Sequence, residues 1–496
     1  MRAPLDLAPR TSLLQSPNES TVVGTVPAES AAAERRETFW SAVREAVAGS
    51  HRDYTTGSIS RAVALLAIPM VLEMSMESIF VVVDMFFVGR LGPYAQATVA
   101  LTESLITIVY AIAIGLSIGV TAMVARRIGE RDPAGAATAA AQALWLGLGL
   151  AALLGVIGAV FAPRLLAAMG AEAEVLDKGV GYTRVLLGGN ASVLLLFLIN
   201  AIFRGAGDAA IAMRALWLGN AFNIALGPCF IFGLGPFPEL GVMGAAVATT
   251  TGRSIGALYA FSRLLRPGSR VRLDRSHIAP HASVMWRLVR LSASATLQIF
   301  IGVASWIGLI RILSTFGSDA LAGYAIGLRV ILFALLPSWG LSNAAATMVG
   351  QSLGARNPDR AEKAVWLAAF YNMCFLVVIG LVFLVFAPPI ARLFSEDVDV
   401  QRYAIDCLRI VALGFPAYAY GMVITQSFNG AGDTWTPTYL NLFIFWLWEI
   451  PLGYFLAKVA GWGPHGIFIA IAVAYVTLAL VSALLFRRGR WKGAVV

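Results

Sequence analysis

Apolar runs of about 20 residues recur from residue 62 to residue 486, and nothing constrains this chain more. Each is long enough to cross the hydrocarbon of a bilayer as a helix. None alternates with the period of two that a membrane barrel needs, and a spanning helix satisfies all its own backbone groups. Charged residues make up only 13% of the 496, about half the usual share of a soluble domain, so a water-soluble core is excluded. The runs fall at about 62–88, 95–123, 137–161, 178–201, 209–232, 241–265, 287–313, 320–348, 362–386, 403–427, 434–457 and 464–486. The sequence therefore predicts an all-α polytopic membrane protein with twelve transmembrane helices.

Positive charge falls in alternate connections. Arg126, Arg127 and Arg131 follow the second run, Arg263 to Arg275 the sixth, Arg356, Arg360 and Lys363 the eighth, and Arg487 to Lys492 the last. The positive-inside bias places both termini in the cytoplasm. The net charge of +9 is thus topogenic, and no nucleic-acid partner is expected. Residues 1–60 are polar and lack a signal-peptide pattern; they read as a mobile cytoplasmic tail with a short surface helix at "ERRETFWSAVREAV". Cys229, Cys374, Cys407 and the four scattered histidines form no metal or disulfide pattern, so no cofactor and no metal are expected. Nothing points to an obligate protein partner beyond membrane lipids.

The chain repeats itself. "GERDPAGA" at Gly129 returns as "GARNPDRA" at Gly354, "FAP" at Phe161 returns at Phe386, and "FRGAGD" at Phe203 returns as "FNGAGD" at Phe428, each 225 residues on. Two homologous six-helix bundles follow, over 61–265 and 287–486, joined by a basic linker at 266–286 and ended by a basic tail at 487–496. Six spans per half make the repeats parallel, with pseudo-symmetry about the membrane normal and a substrate site between them. Such a scaffold suits alternating access. In "GAGD", the glycines end one helix and Asp208 or Asp433 is expected to cap the next.

The first span carries Glu73, Glu77 and Asp84. At 100° per residue, Glu77 lies about 40° and Asp84 about 20° from Glu73, so all three share one face. An ionised acid at the bilayer centre costs about 2.5–3.5 kcal/mol, and this face must look into the bundle. A carboxylate there can bind a proton in one state and a cation in another. Asn200, Asn220, Asn223 and Thr249, Thr250 and Thr251, on later spans of the same half, offer oxygen ligands or hydrogen bonds. In the second half Leu309 stands where Asp84 stands in the first. That half has Glu449 instead, with Tyr439, Trp446 and Trp448 near it in sequence; aromatic faces beside an acid suit an organic cation. No set of nucleophile and base typical of an enzyme is present.

"IP" followed by "VVVDMFFVGRLG", with "GERDP", "GAGD", "FNIALGP", "GVMGAAVATT" and "MVGQSLGARNP", together resemble the multidrug and toxic compound extrusion family. The resemblance covers 60–486. It implies a twelve-span antiporter of a bacterial inner membrane that exports small organic cations in exchange for protons or sodium, with Asp84 and Asn223 matching the family's coupling residues. Where many members complete a first-half cation site with a further Asp, this chain has Gly227; where many have Gln, it has Glu77; where Arg is common, it has Glu449. The missing acid favours protons over sodium. On this reading Asp84, Glu77, Asn223, Glu73, Asn220 and Thr249 serve coupling, and Glu449, Trp446, Trp448 and Tyr439 serve substrate binding. The rivals are a sodium-coupled exporter and a lipid-linked saccharide flippase of the same superfamily; the flippase substrate is anionic and would call for a basic cavity.

Overall fold

The computed structural model describes residues 40–49 and 52–494, and among them there is no strand. Twelve long helices carry the fold: α1 (Ile59–Gly89), α2 (Pro93–Gly129), α3 (Pro133–Ala168), α4 (Val180–Ala206), α5 (Ala209–Phe232), α6 (Val242–Leu264), α7 (Ala282–Leu313), α8 (Ser318–Gly354), α9 (Pro358–Phe394), α10 (Val398–Ala412 and Phe415–Ala431), α11 (Trp435–Val459) and α12 (Pro464–Arg487). Ten of these are long and apolar enough to cross a membrane, and α10 is an eleventh span bent by 60° at residues 413–414. The twelfth, α6, is long enough but too polar to stand out by hydropathy, because Thr249, Thr250, Thr251 and Arg253 sit in its middle. A helix of this kind is tolerated only when its polar face turns inward.

Glycine contacts show the duplication in three dimensions. A Cβ on Gly205 of α4 would meet the Thr121 carbonyl of α2, and one on Gly430 of α10 would meet the Ala346 carbonyl of α8. Between the halves, Gly115 of α2 abuts Thr296 of α7, and Gly340 of α8 abuts Met70 and Val71 of α1. Gly129 of α2 faces the Gln351 carbonyl at 2.1 Å from a hypothetical Cβ, and Gly354 of α8 faces that of Arg126 at 2.2 Å. Both members of each pair are again 225 residues apart. Helices α1, α2, α7 and α8 therefore form the seam between the halves, with backbone against backbone at the end that carries the termini.

The seam is tightest at that end. Gly340–Gly354 of α8 is buried almost residue by residue, as is much of Ala62–Met70 of α1. Thr347 and Gln351 of α8 donate to the Arg204 and Gly205 carbonyls of α4. Further along α1, Ile79, Val82, Met85 and Phe86 are exposed. The halves are packed most closely at the termini face; further along, α1 and α8 still touch, where Ser78 donates to the Phe333 carbonyl and Arg329 donates to Met85 Sδ.

The connections behave as their sequences predict in one respect. Gly129 and Gly354 end their helices, Arg131 and Arg356 take the left-handed backbone conformation (φ 59° and 56°), and the Asp132 and Asn357 side chains cap the helices that Pro133 and Pro358 begin. Four expectations need correction. Asp433 caps by accepting from the Thr436 amide, but Asp208 instead lies 3.5 Å from the Arg270 guanidinium. The segment just before α1 is not a free tail. Residues 40–48 are helical, and Arg360 of α9 donates to the carbonyls of Tyr54, Thr56 and Gly57, while Tyr54 donates to the Gly207 carbonyl of the first half. A buried guanidinium needs several acceptors, and this strap supplies three. The rest of the expected tail, residues 1–39, lies outside the described residues. The chain after α12 is likewise docked: Trp491 is buried, stacks on Phe486 at 4.5 Å, and precedes Ala494, whose carbonyl accepts from Arg126. The linker is also shorter than expected, since α7 begins at Ala282.

The seam yields a direct test. Gly354→Val places a side chain against the Arg126 carbonyl and is expected to cost about 1–3 kcal/mol, read as a lower melting midpoint in detergent. Gly302→Ala on α7, where a Cβ would meet nothing within 4 Å, should leave the midpoint unchanged.

Candidate functional site

The acid face of α1 turns into the first half, toward α4, α5 and α6, as the helical spacing requires. Each of its three carboxylates meets a different environment. Glu73 is 1% exposed. Its Oε1 accepts from Arg204 Nη1 at 2.8 Å and from Asn200 Nδ2 at 3.1 Å, both on α4. Since the Arg204 carbonyl is held by Thr347, this ion pair ties α1 and α4 to the second half at the closed end of the seam.

One turn along, Glu77 Oε1 accepts from Arg253 Nη2 of α6 at 2.9 Å, and its Oε2 accepts from Asn220 Nδ2 of α5 at 3.1 Å. Arg253 is 2% exposed and lies over two rings, Phe80 of α1 at 5.6 Å and Tyr110 of α2 at 5.9 Å. These aromatic faces stabilise a cation far from water. Its Nε and Nη1 have no hydrogen-bond partner among the described residues.

Asp84 differs from both. It is partly exposed and makes no hydrogen bond or ion pair among the described residues. The charges that act on it are Glu103 of α2 and Arg253. Asn223 does not reach it: the Asn223 amide donates to Thr249 Oγ1 at 2.9 Å, joining α5 to α6. Gly227, a turn further along α5, faces open space, with nothing within 4 Å of a Cβ built there. Among the described residues no three acids, histidines or cysteines gather as a metal site.

The structure thus brings Glu73, Glu77, Asp84, Asn220, Asn223 and Thr249 into one half, but as separate pairs rather than one cluster. Arg204 and Arg253 are the site residues that the sequence analysis passed over. The signal was present for Arg253, an arginine in the middle of an expected span, whose burial requires a partner acid. Arg204 was hidden inside "FRGAGD", which reads as a turn.

In the second half the expected aromatic setting of Glu449 is corrected. Tyr439, Trp446 and Trp448 are all substantially exposed, while Glu449 is 3% exposed. Trp446 donates from Nε1 to the Ile301 carbonyl and fastens α11 to α7. Tyr439 and Trp448 border an outer groove with Phe443 and Val481. The rings whose charge environment includes Glu449 are instead Tyr324 of α8, Tyr418 of α10 and Tyr475 of α12, of which the last two stack at 4.0 Å. The physical reason is helical winding. Over Leu442–Glu449, ahead of Pro451, the helix widens to i→i+5 bonding, so sequence neighbours of Glu449 fan out to other faces. Leu309, the counterpart of Asp84, is buried core.

Two six-helix bundles related by an internal repeat, with an unpaired carboxylate on a membrane-spanning helix, have the architecture of a membrane transporter. The MatE family profile matches residues 69–229 and 295–455, one stretch in each half. The chain belongs to the MatE family. It is 26% identical over 439 residues to the probable multidrug resistance protein NorM of Thermotoga maritima, covering 87% of this chain and 93% of that one. It is 26% identical to the FAD transporter of Shewanella oneidensis, over 82% of this chain and 90% of that one. Among solved structures, one described as an outward-facing multidrug resistance MATE family transporter superposes with a TM-score of 0.83 at 27% identity, covering 89% of this chain and 98% of that one. Another, a transporter from Pyrococcus furiosus described as having a binding pocket of reverse polarity, aligns equally well.

The paired acids lead to a stability test. Glu73→Gln leaves Arg204 buried beside a neutral partner and is expected to cost about 3–5 kcal/mol. Adding Arg204→Gln should recover most of that loss, and a double-mutant cycle on thermal unfolding reads the difference.

Proposed function

We propose that this protein is a proton-coupled antiporter that exports monovalent organic cations from the cytoplasm across a bacterial inner membrane. The observation that carries this reading is the charge count around Asp84. Glu73 and Glu77 each have an arginine, so Asp84 is the one uncompensated carboxylate on α1. A single negative charge, partly exposed on α1, is balanced by one proton or one monovalent cation, but not by both. Exclusive occupancy of this kind is what exchange requires.

In the cycle, ionised Asp84 takes the organic cation while the chamber opens toward the termini face, which the basic connections place in the cytoplasm. The halves then rock about the glycine seam until the chamber opens to the outside. A proton from the outside neutralises Asp84, the electrostatic hold on the cation is lost, and the substrate leaves. Names among the relatives support the substrate class, and the open space at Gly227, where no acid stands, supports protons over sodium. A lipid-linked anionic saccharide is the poorer fit, because the three acids on α1 exceed the two arginines that answer them.

Purified protein in proteoliposomes should accumulate a fluorescent organic cation under an imposed pH gradient and not under a sodium gradient. Asp84→Asn should abolish the pH-driven flux, a fall of at least about tenfold for loss of an essential coupling charge, with insertion and yield intact. Undiminished flux in that variant would remove Asp84 from the cycle.

A further inference from the structure

Arg253 has no part in that cycle, yet it occupies the centre of the first half. It is buried on α6, holds Glu77 with one nitrogen, and leaves Nε and Nη1 without a partner. An unpartnered edge of a buried guanidinium is costly, and its persistence needs a reason. The reason lies in what surrounds it. Phe80, over which the guanidinium rests, stands on α1 between Glu77 and Asp84. Asp84 is the next acid along that face and makes no ion pair among the described residues. The charged and titratable groups around the two acids are Glu73 on α1, Glu103 and Tyr110 on α2, Arg204 and Tyr182 on α4, Arg253 on α6, and Arg329 on α8, which contacts Met85 and acts on Glu103. Of these, Arg253 is the only positive charge that acts on both Glu77 and Asp84.

We infer that Arg253 is the resident counter-ion of the first-half chamber, a tethered cation in the position a mobile alkali cation would take, and that it sets the coupling ion by excluding metal ions from Asp84. This rests on the proton-coupled reading and extends it to ion selectivity. With Arg253 in place, the Glu77–Asp84 stretch carries one net negative charge. A proton on Asp84 removes that charge by a covalent O–H bond and needs no coordination shell. A sodium ion needs several oxygen ligands in place of its water, and here it would find them beside a fixed positive charge. Asn220 and Asn223 already spend their amide N–H groups on Glu77 and Thr249, so their remaining oxygens are aimed by those bonds. Without the guanidinium, the same two acids and the asparagine oxygens form a hard-donor set of the kind a small cation takes.

The test measures ion binding, not transport. Full-length protein in detergent is melted at pH 8 in sodium chloride and in N-methylglucamine chloride of equal ionic strength, and the sodium-specific shift is read within each variant. The native chain should show none. Arg253→Gln should gain a rise of about 2–4 °C, since a ligand bound only to the folded state stabilises it. Arg253→Lys, which keeps the charge, should show none. Glu77→Gln combined with Arg253→Gln removes both charges of the pair, protects against misfolding from an orphaned acid, and should still respond to sodium through Asp84. Adding Asp84→Asn to either should abolish the response. A sodium shift in the native chain as large as in Arg253→Gln would overturn the inference. So would a sodium response in Arg253→Lys, or no response in either glutamine variant. These results leave the proton-coupled reading to its own assay: sodium-driven flux by the native protein would sink that reading, whereas an unresponsive Arg253→Gln sinks only the role of Arg253.

Discussion

The cost of an unmatched charge inside the bilayer organises the first half of this protein. Three acids on one face of α1 oblige that face to point inward. Two of them recruit arginines from α4 and α6, at 2.8 and 2.9 Å, and each also accepts from an asparagine amide. These pairs explain why α6 can be the least apolar of the twelve helices and still pack as a span: its polar middle is the partner surface for α1. They also isolate Asp84. Once its neighbours along the helix are compensated, it is the place where a single proton or a single cation changes the charge of the chamber.

Motion has a separate basis. The seam between the halves is made of glycines set against backbone, and each such contact in one half has a counterpart in the other. At the termini face α1 also packs side chains into one buried apolar cluster with α8, α9 and α10 of the second half, which makes that end the pivot about which the halves would move. The N-terminal strap and the Trp491 turn lie over the same end, and each touches both halves. The scaffold is symmetric, but the chemistry is not. The position of Asp84 is filled by Leu309 in the second half, and the acid of that half, Glu449, is buried among tyrosines on another helix.

The elements most legible in the sequence were those set by local rules. Helical period placed Glu73, Glu77 and Asp84 on one face, and Asn200 and Asn220 were the right kind of partner because a buried acid needs donors. Asn223 was read correctly as interior but not as bonded to Thr249, since spacing along a chain does not say which of two nearby oxygens an amide meets. Arg204 looked like part of a turn. The setting of Glu449 failed for a different reason: Trp446 and Trp448 lie near it in sequence, but in a helix that widens before Pro451, residues one and three positions away point to other faces.

Sequence alone determined that the chain spans a membrane about twelve times, that it is built from two parallel copies, and that α1 carries charge which must be buried. Those conclusions follow from hydropathy, an offset of 225 residues and the period of a helix, all of them local or one-dimensional quantities. Only the tertiary structure decided which acid is left uncompensated and which arginines answer the others. Pairing across helices depends on the rotation and depth of each span against its neighbours, and those are fixed by packing between residues more than a hundred positions apart.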